Sequence, residues 1–293
     1  MRTGRSQKPV SRSVQGSTNA AEGRKPEAAD TRASMRVAAV LEYDGSAFSG
    51  WQRQTRARSV QAVVEDAFSK IAGEPIEVTV AGRTDAGVHA LGQVIHFDTS
   101  AERSGHSWVR GAVSNLPADV AVLWADRVDP AFHARYAATG RHYHYVVLNR
   151  PVRPGLLASR VTHDYRSLDV PRMQQAASYL LGEHDFNAYR SSECQAKNPV
   201  RELRALDVTQ VGERIVIHAY ANAFLHHMIR NIAGVLLAIG AGDKPPHWAR
   251  DVLESRDRTL GGVTAPPDGL YLTQIEYPSN YNIPVLGTGT GLW

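Results

Sequence analysis

Cysteine is almost absent from this 293-residue chain: Cys194 is the only one. That excludes an intrachain disulfide and any zinc site built from several thiolates, and it fits a reducing, cytoplasmic setting. Long apolar runs are missing too. No stretch approaches the roughly 20 residues needed to cross a bilayer, and no secretory-signal core stands near the start, so neither a membrane location nor export is expected. Lysine is scarce, with 5 against 28 arginines. Arginine suits bidentate phosphate contacts, although a GC-rich coding sequence produces the same ratio. The body of the chain also lacks net positive charge. The formal charge is +4, but residues 1–36 hold eight Arg/Lys and three Asp/Glu, which leaves the other 257 residues at −1. Net charge therefore does not point to nucleic acid; only a local patch can.

What is present reads as an ordinary globular protein. Hydrophobic residues make up 43% and charged ones 21%, and the length allows two modest domains. Residues 1–34 have no hydrophobic period and are expected to form a disordered basic tail; Met35 is a candidate alternative start. From Arg36 to Tyr43 the pattern is a strand. Val60, Val63, Val64, Ala67, Phe68 and Ile71 predict a helix over 59–72, with Ser59 as N-cap and Gly73 as stop. Strands follow at 76–80, 93–99, 120–128 and 141–148, with a short helix at 107–115. A second unit repeats the plan: a helix at 171–181, strands at 202–209 and 214–221, helices at 226–239 and 247–255, and a last strand at 270–277. Strands outnumber helices, and several are joined by turns too short for parallel crossovers. The expected fold is α+β: two related units, 35–138 and 139–283, with mainly antiparallel sheets and helices on one face. Residues 284–293 read as a flexible tail.

Chemistry concentrates around Gly82-Arg83-Thr84-Asp85-Ala86-Gly87-Val88-His89. Glycine permits positive φ and close approach of a ligand, so Asp85 is displayed from a turn between two extended runs. A displayed carboxylate suits a nucleophile or a clamp on a polar ligand; a turn in which Asp85 caps a local N–H is the simpler alternative. In the strand Arg141-His142-Tyr143-His144-Tyr145, the tyrosines share one face and the histidines the other. The His-x-His pair lacks an evident third ligand, so a metal site is not expected there. A tyrosine facing a cleft can stack on a base or relay a proton; packing in the core is the alternative. Arg230 follows His226 and His227 in an apolar segment, where an unpaired guanidinium is costly. Asp85 is its natural partner, and such a cation favours the carboxylate form; snorkelling to the surface is the other possibility. The two histidines read as structural or RNA-facing.

These residues, in this order, resemble the TruA family of tRNA pseudouridine synthases over about 36–281. The landmarks are Glu42-Tyr43-Asp44-Gly45 with Gly50-Trp51-Gln52-Arg53-Gln54, the Asp85 motif, Phe132-His133-Ala134-Arg135, Arg141-x-Tyr143-x-Tyr145, Asn222-Ala223-Phe224 through Arg230-Asn231, and Gly269-Leu270-Tyr271-Leu272. The resemblance implies isomerisation of uridine to pseudouridine at positions thirty-eight to forty of the tRNA anticodon stem-loop. It implies Asp85 as nucleophile, Tyr143 stacked on the target base, Arg230 paired with Asp85, and Leu270 lining the uracil pocket. Arg83 and Arg103 match basic positions implicated in base flipping, and Phe132, His133, Ala134, Arg135 and Tyr136 match an RNA-contacting segment. It further implies a homodimer acting on tRNA without metal or organic cofactor. The chain departs from the family in its long basic tail and in Val80, where a cysteine is familiar.

Two rivals make different demands. A nucleoside or glycoside hydrolase commonly sets two carboxylates across the scissile bond, and no second acid stands out near Asp85. A non-catalytic RNA-binding module of RRM type wants an aromatic stripe beside basic residues, which Tyr143 and Tyr145 match poorly. RNA binding by a body without net positive charge requires arginines gathered in one cleft and acids elsewhere.

Overall fold

The computed structural model describes residues 34–286. The tail expected to be disordered therefore lies outside the described residues except for its last residue, as do residues 287–293 of the C-terminal tail. Ten strands and five helices follow in the order β1 (Met35–Tyr43), α1 (Val60–Ala72), β2 (Thr79–Val80), β3 (His89–Thr99), α2 (Gly105–Asn115), β4 (Val120–Arg127), β5 (Gly140–Asn149), β6 (Thr162–Asp164), α3 (Val170–Ser178), β7 (Gly182–Asp185), β8 (Val200–Val211), β9 (Arg214–Ala221), α4 (Met228–Gly240), α5 (Trp248–Ser255) and β10 (Leu270–Glu276). The fold is α+β. One ten-stranded sheet has the order β4-β1-β3-β10-β5-β9-β8-β7, with β2 on β3 and β6 on β5. Only β3–β10 and β5–β6 run parallel; every other pair is antiparallel. The last strand, β10, inserts between β3 and β5 and so joins the earlier strands to the later ones in a single sheet.

Burial explains the elements that the sequence pattern predicts. In α1, Val60, Val64, Ala67 and Phe68 are buried, and Gly73 ends the helix at φ +75°, a conformation that favours glycine. Phe68 packs on Phe97 and Trp108, with ring centroids 4.8 and 6.0 Å away. Asp169 caps α3 by accepting from the Arg172 N–H at 3.0 Å. Helix α4 buries ten of its thirteen residues, as an almost uniformly apolar helix must. On β5, Tyr143, Tyr145 and Val147 join the main core, whereas Val146 and Leu148 join Leu91, Val161 and Tyr271 in a smaller cluster on the opposite face.

The structure differs from the sequence reading at four element boundaries. The strand expected at 76–80 is reduced to Thr79–Val80. Ser69 Oγ takes the Ile76 N–H at 2.8 Å and Glu65 takes the Val78 N–H at 3.1 Å, so these amides bond α1 instead of a strand. The strand expected from residue 93 begins at His89. Helix α3 stops at Ser178 rather than 181, and Gly182 (φ +102°) opens β7. Helix α4 starts at Met228, not His226, because His227 adopts the left-handed conformation at φ +62°.

Candidate active site

Asp85 lies in the loop between β2 and β3, and that loop is held from below by the segment after β1. The Trp51 N–H donates to the Thr84 carbonyl at 2.9 Å, and the Gly87 N–H donates to the Phe48 carbonyl at 3.3 Å. Gly50 sits at φ +89°, where a Cβ would lie 2.8 Å from the Thr84 oxygen. A side chain there is excluded both by its φ and by the closeness of the loop backbone. Thr84 and Tyr43 share a 2.7 Å hydrogen bond, and Gln93 donates to the Gly82 carbonyl at 2.6 Å. His89 accepts from the Gly45 N–H at 3.0 Å and stacks on Tyr271 at 4.5 Å. Burial lowers the His89 pKa despite the nearby Asp44 carboxylate, which suits an acceptor nitrogen. His89 and Gln93 are both buried polar residues with satisfied partners. Sequence reasoning missed their clamping role, because polar residues obscure a strand pattern.

Three side chains surround the Asp85 carboxylate. Arg230 Nη1 lies 3.5 Å from Oδ2, and Arg230 Nε is fixed by the Ala265 carbonyl at 2.8 Å. His226 Nε2 lies 3.1 Å from Oδ1, and His227 Nε2 lies 3.3 Å from Oδ2. The pairing of Arg230 with Asp85 was expected; the convergence of both histidines was not. The unusual His227 backbone places consecutive rings side by side, with centroids 4.1 Å apart, a juxtaposition that regular helix geometry does not predict. Burial lowers the His227 pKa, and the Asp85 charge opposes that shift. Asn231 locks the first turn of α4 by donating to the Tyr189 carbonyl at 2.8 Å while accepting from Arg258 at 3.0 Å.

The carboxylate faces a cleft of about 1050 Å³ whose wall includes Arg83, Tyr143, Phe224 and Leu270. Tyr143 on β5 is buried, with its ring edge-on to Phe224 at 5.2 Å. Burial, and then the neighbouring Tyr43, raises its pKa, so it remains a neutral phenol around neutral pH. Leu270, the first residue of β10, pairs with Tyr145. Tyr145 does not reach the cleft: it is fully buried and hydrogen-bonds Thr162 at 2.6 Å and the Pro266 carbonyl at 2.9 Å.

Charge is distributed as RNA binding requires. Arg83, Arg135, Arg141, Arg201 and Arg230 line the cleft against two acids, Asp85 and Glu193. Among the described residues Arg141 donates only to carbonyls, those of Asn222 at 2.7 Å, Arg135 at 3.1 Å and Ala138 at 3.3 Å. Its charge is therefore not neutralised by a carboxylate, and burial lowers its pKa.

Three of the sequence-predicted RNA-contact residues, Phe132, Ala134 and Arg103, lie away from the cleft wall. Phe132 and Ala134 are fully buried: the Phe132 ring packs between Tyr277 and Tyr281 at 5.1 and 5.2 Å, and Tyr277 donates to the Ala134 carbonyl at 2.7 Å. Their side chains anchor the segment while His133, Arg135 and Tyr136 face outward, Tyr136 being 77% exposed. Arg103 is exposed just ahead of α2, donates to the Glu102 carbonyl at 2.9 Å, and is not part of the cleft lining.

A model of the tRNA pseudouridine synthase family matches residues 39–137 and 176–278. The tRNA pseudouridine synthase A of Nitrosococcus oceani is 54% identical over 259 residues, which span 88% of this chain and 100% of that protein. That of Coxiella burnetii is 52% identical over 87% of this chain and 97% of its own length. The Alcanivorax borkumensis protein is 54% identical over 85% and 94%. A solved Cbf5-Nop10-Gar1 complex aligns weakly, with a TM-score of 0.32 and 10% identity over 69% of this chain and 54% of that one, and adds no weight.

Proposed function

Since the chain belongs to the tRNA pseudouridine synthase family, we propose that it isomerises uridine to pseudouridine at positions thirty-eight, thirty-nine and forty of the tRNA anticodon stem-loop. Asp85 is the nucleophile. The observation that carries this reading is a carboxylate with a clamped backbone, facing a cleft whose cations outnumber its acids. The reaction breaks the N1–C1′ bond, turns the uracil and forms a C5–C1′ bond. A stacked uridine must first be extruded, at a cost of a few kcal/mol. Stacking on Tyr143 offsets about 1–3 kcal/mol of that cost, and Arg83 holds the displaced phosphate or fills the vacated space. Leu270 lines the uracil pocket. Asp85 then attacks C1′ or removes a ribose proton; Arg230, held by Ala265, orients it.

The cleft supports isomerisation over hydrolysis, because Glu193, the other carboxylate on its wall, is exposed to solvent. The enzyme acts as a homodimer in the cytoplasm and needs no added cofactor. Asp85→Asn tests the reading directly: tRNA binding should persist while pseudouridine formation in that arm is abolished. Pseudouridine made by the variant, or free uracil released by the wild type, would overturn it.

A further inference from the structure

We propose that Asp85, His226 and His227 form a binding site for a zinc-type divalent cation, and that a bound cation switches the enzyme off by occupying the carboxylate. Two imidazoles and a carboxylate are ligands that Zn²⁺ accepts in three-ligand sites with an open fourth position. Their ligating atoms all lie within 4.8 Å of one another, and among the described residues no other His, Cys, Asp or Glu group converges in this way.

The spacing approaches that of a metal site. With metal–ligand bonds of about 2.0–2.1 Å, the edge of a tetrahedral site is about 3.3–3.4 Å. His226 Nε2 is 3.1 Å from Oδ1 and His227 Nε2 is 3.3 Å from Oδ2, so each imidazole stands near that length from one carboxylate oxygen before any ion arrives. The ligands also come from braced backbone. Asp85 sits in the clamped loop, the His226 carbonyl accepts the Ser191 N–H at 2.9 Å, and the His227 carbonyl accepts the Asn231 N–H at 2.9 Å. Little ordering remains to oppose binding.

All three side chains are partly accessible, at 25–35%, and open onto the cleft, which gives an ion a path of entry and leaves its fourth position to water. Arg230, 3.5 Å from Oδ2, opposes a second positive charge, which makes this a site filled reversibly rather than a permanent structural centre. A carboxylate bound to a metal has its charge drawn towards the ion, and the ion fills the space in front of it, so it attacks C1′ poorly. The inhibition therefore rests on the reading of Asp85 as nucleophile, whereas the cation site itself does not.

The test uses untagged full-length protein titrated with Co²⁺ as a visible surrogate for Zn²⁺. One equivalent should produce the ligand-field band of a four-coordinate ion, and Zn²⁺ should displace it. X-ray absorption of the zinc-loaded wild type should show two imidazoles, a readout that needs no variant. His226→Gln and His227→Gln, checked for folding by thermal melts, should abolish the band, while His142→Gln on the opposite sheet face should retain it. In tRNA assays, turnover should fall in proportion to zinc occupancy and return on adding EDTA. No stoichiometric band, or the same band in both folded histidine variants, overturns the site, and full turnover at full occupancy overturns the inhibition. Pseudouridine formation by Asp85→Asn would overturn the functional reading while leaving the Co²⁺ result intact.

Discussion

Asp85 and Glu276 are both carboxylates set beside histidine, arginine and tyrosine, yet their environments differ in one decisive respect. Glu276 accepts from Tyr220 at 2.6 Å and from His142 at 2.9 Å. The network continues through His142 to His218 at 3.3 Å and from Arg204 to Tyr220 at 3.1 Å, with the His142 and Tyr220 rings stacked 4.1 Å apart. Burial opposes the charge on Glu276, but these hydrogen bonds hold its pKa below the usual range. Asp85 has one long hydrogen bond, from Arg230, and two histidine contacts, all at the edge of an open cleft. The same residue types thus make a tight hydrogen-bonded network at Glu276 and a looser set of contacts, facing a cleft, at Asp85. What separates them is the length of the contacts, 2.6–2.9 Å to Glu276 against 3.1–3.5 Å to Asp85, and the cleft that Asp85 lines.

The largest expected effect tests that contrast. Asp85→Asn should reduce pseudouridine formation by on the order of 10³-fold or more, as loss of a nucleophile does, with the melting temperature and tRNA affinity little changed. Glu276→Gln should do the reverse, keeping turnover and lowering the melting temperature. An inactive but stable Glu276→Gln would break the comparison.

Arg230→Gln comes next. A hydrogen bond to a charged group contributes about 1.5–3 kcal/mol, so kcat should fall roughly 10- to 100-fold with KM for tRNA changed less. A change confined to KM would make Arg230 a phosphate contact and not an orienting group.

The arginines of the cleft predict that tRNA affinity weakens with salt. About four phosphate contacts imply a loss of roughly 100-fold between 50 and 200 mM monovalent salt. A nearly flat salt response would show that the cleft is not the RNA surface.

The smallest effect belongs to the opposite face. Burial, followed by the neighbouring His218 and His142, lowers the His144 pKa to about 4, from the ordinary value near 6.5. As pH falls from about 6.5 towards 4, the unfolded chain takes up the proton that folded His144 refuses, so stability falls in that window and is unaffected above it. The imidazole Nδ1 is also buried without a hydrogen-bond partner among the described residues. His144→Leu should lessen the fall of the melting temperature between pH 6.5 and 4 without changing turnover at neutral pH, with His96, lowered to about 4 as well, supplying part of what remains; an unchanged slope would remove His144 from the acid response.

The periodicity of α1 and the alternation of β9 were legible because one face of each meets a core, and burial imposes its repeat on the sequence. Short polar β7, Gly182–Asp185, carries no such repeat: two of its residues are exposed and none is buried. Tyr143 and Leu270 on the cleft wall were anticipated from their motifs, as was the partnership of Arg230 with Asp85. Phe132 and Ala134 sit in a motif that touches solvent only through its other members, a division that local sequence does not reveal.

The order of residues alone determined the α+β pattern, the displayed aspartate between glycines and the family resemblance, since each depends on neighbours a few positions apart. Tertiary structure alone decided that His226 and His227 meet Asp85, that β10 joins β3 to β5, and that arginines distant in sequence line one cleft. Those facts arise from long-range packing and from one left-handed residue at the start of α4, and no local periodicity encodes either.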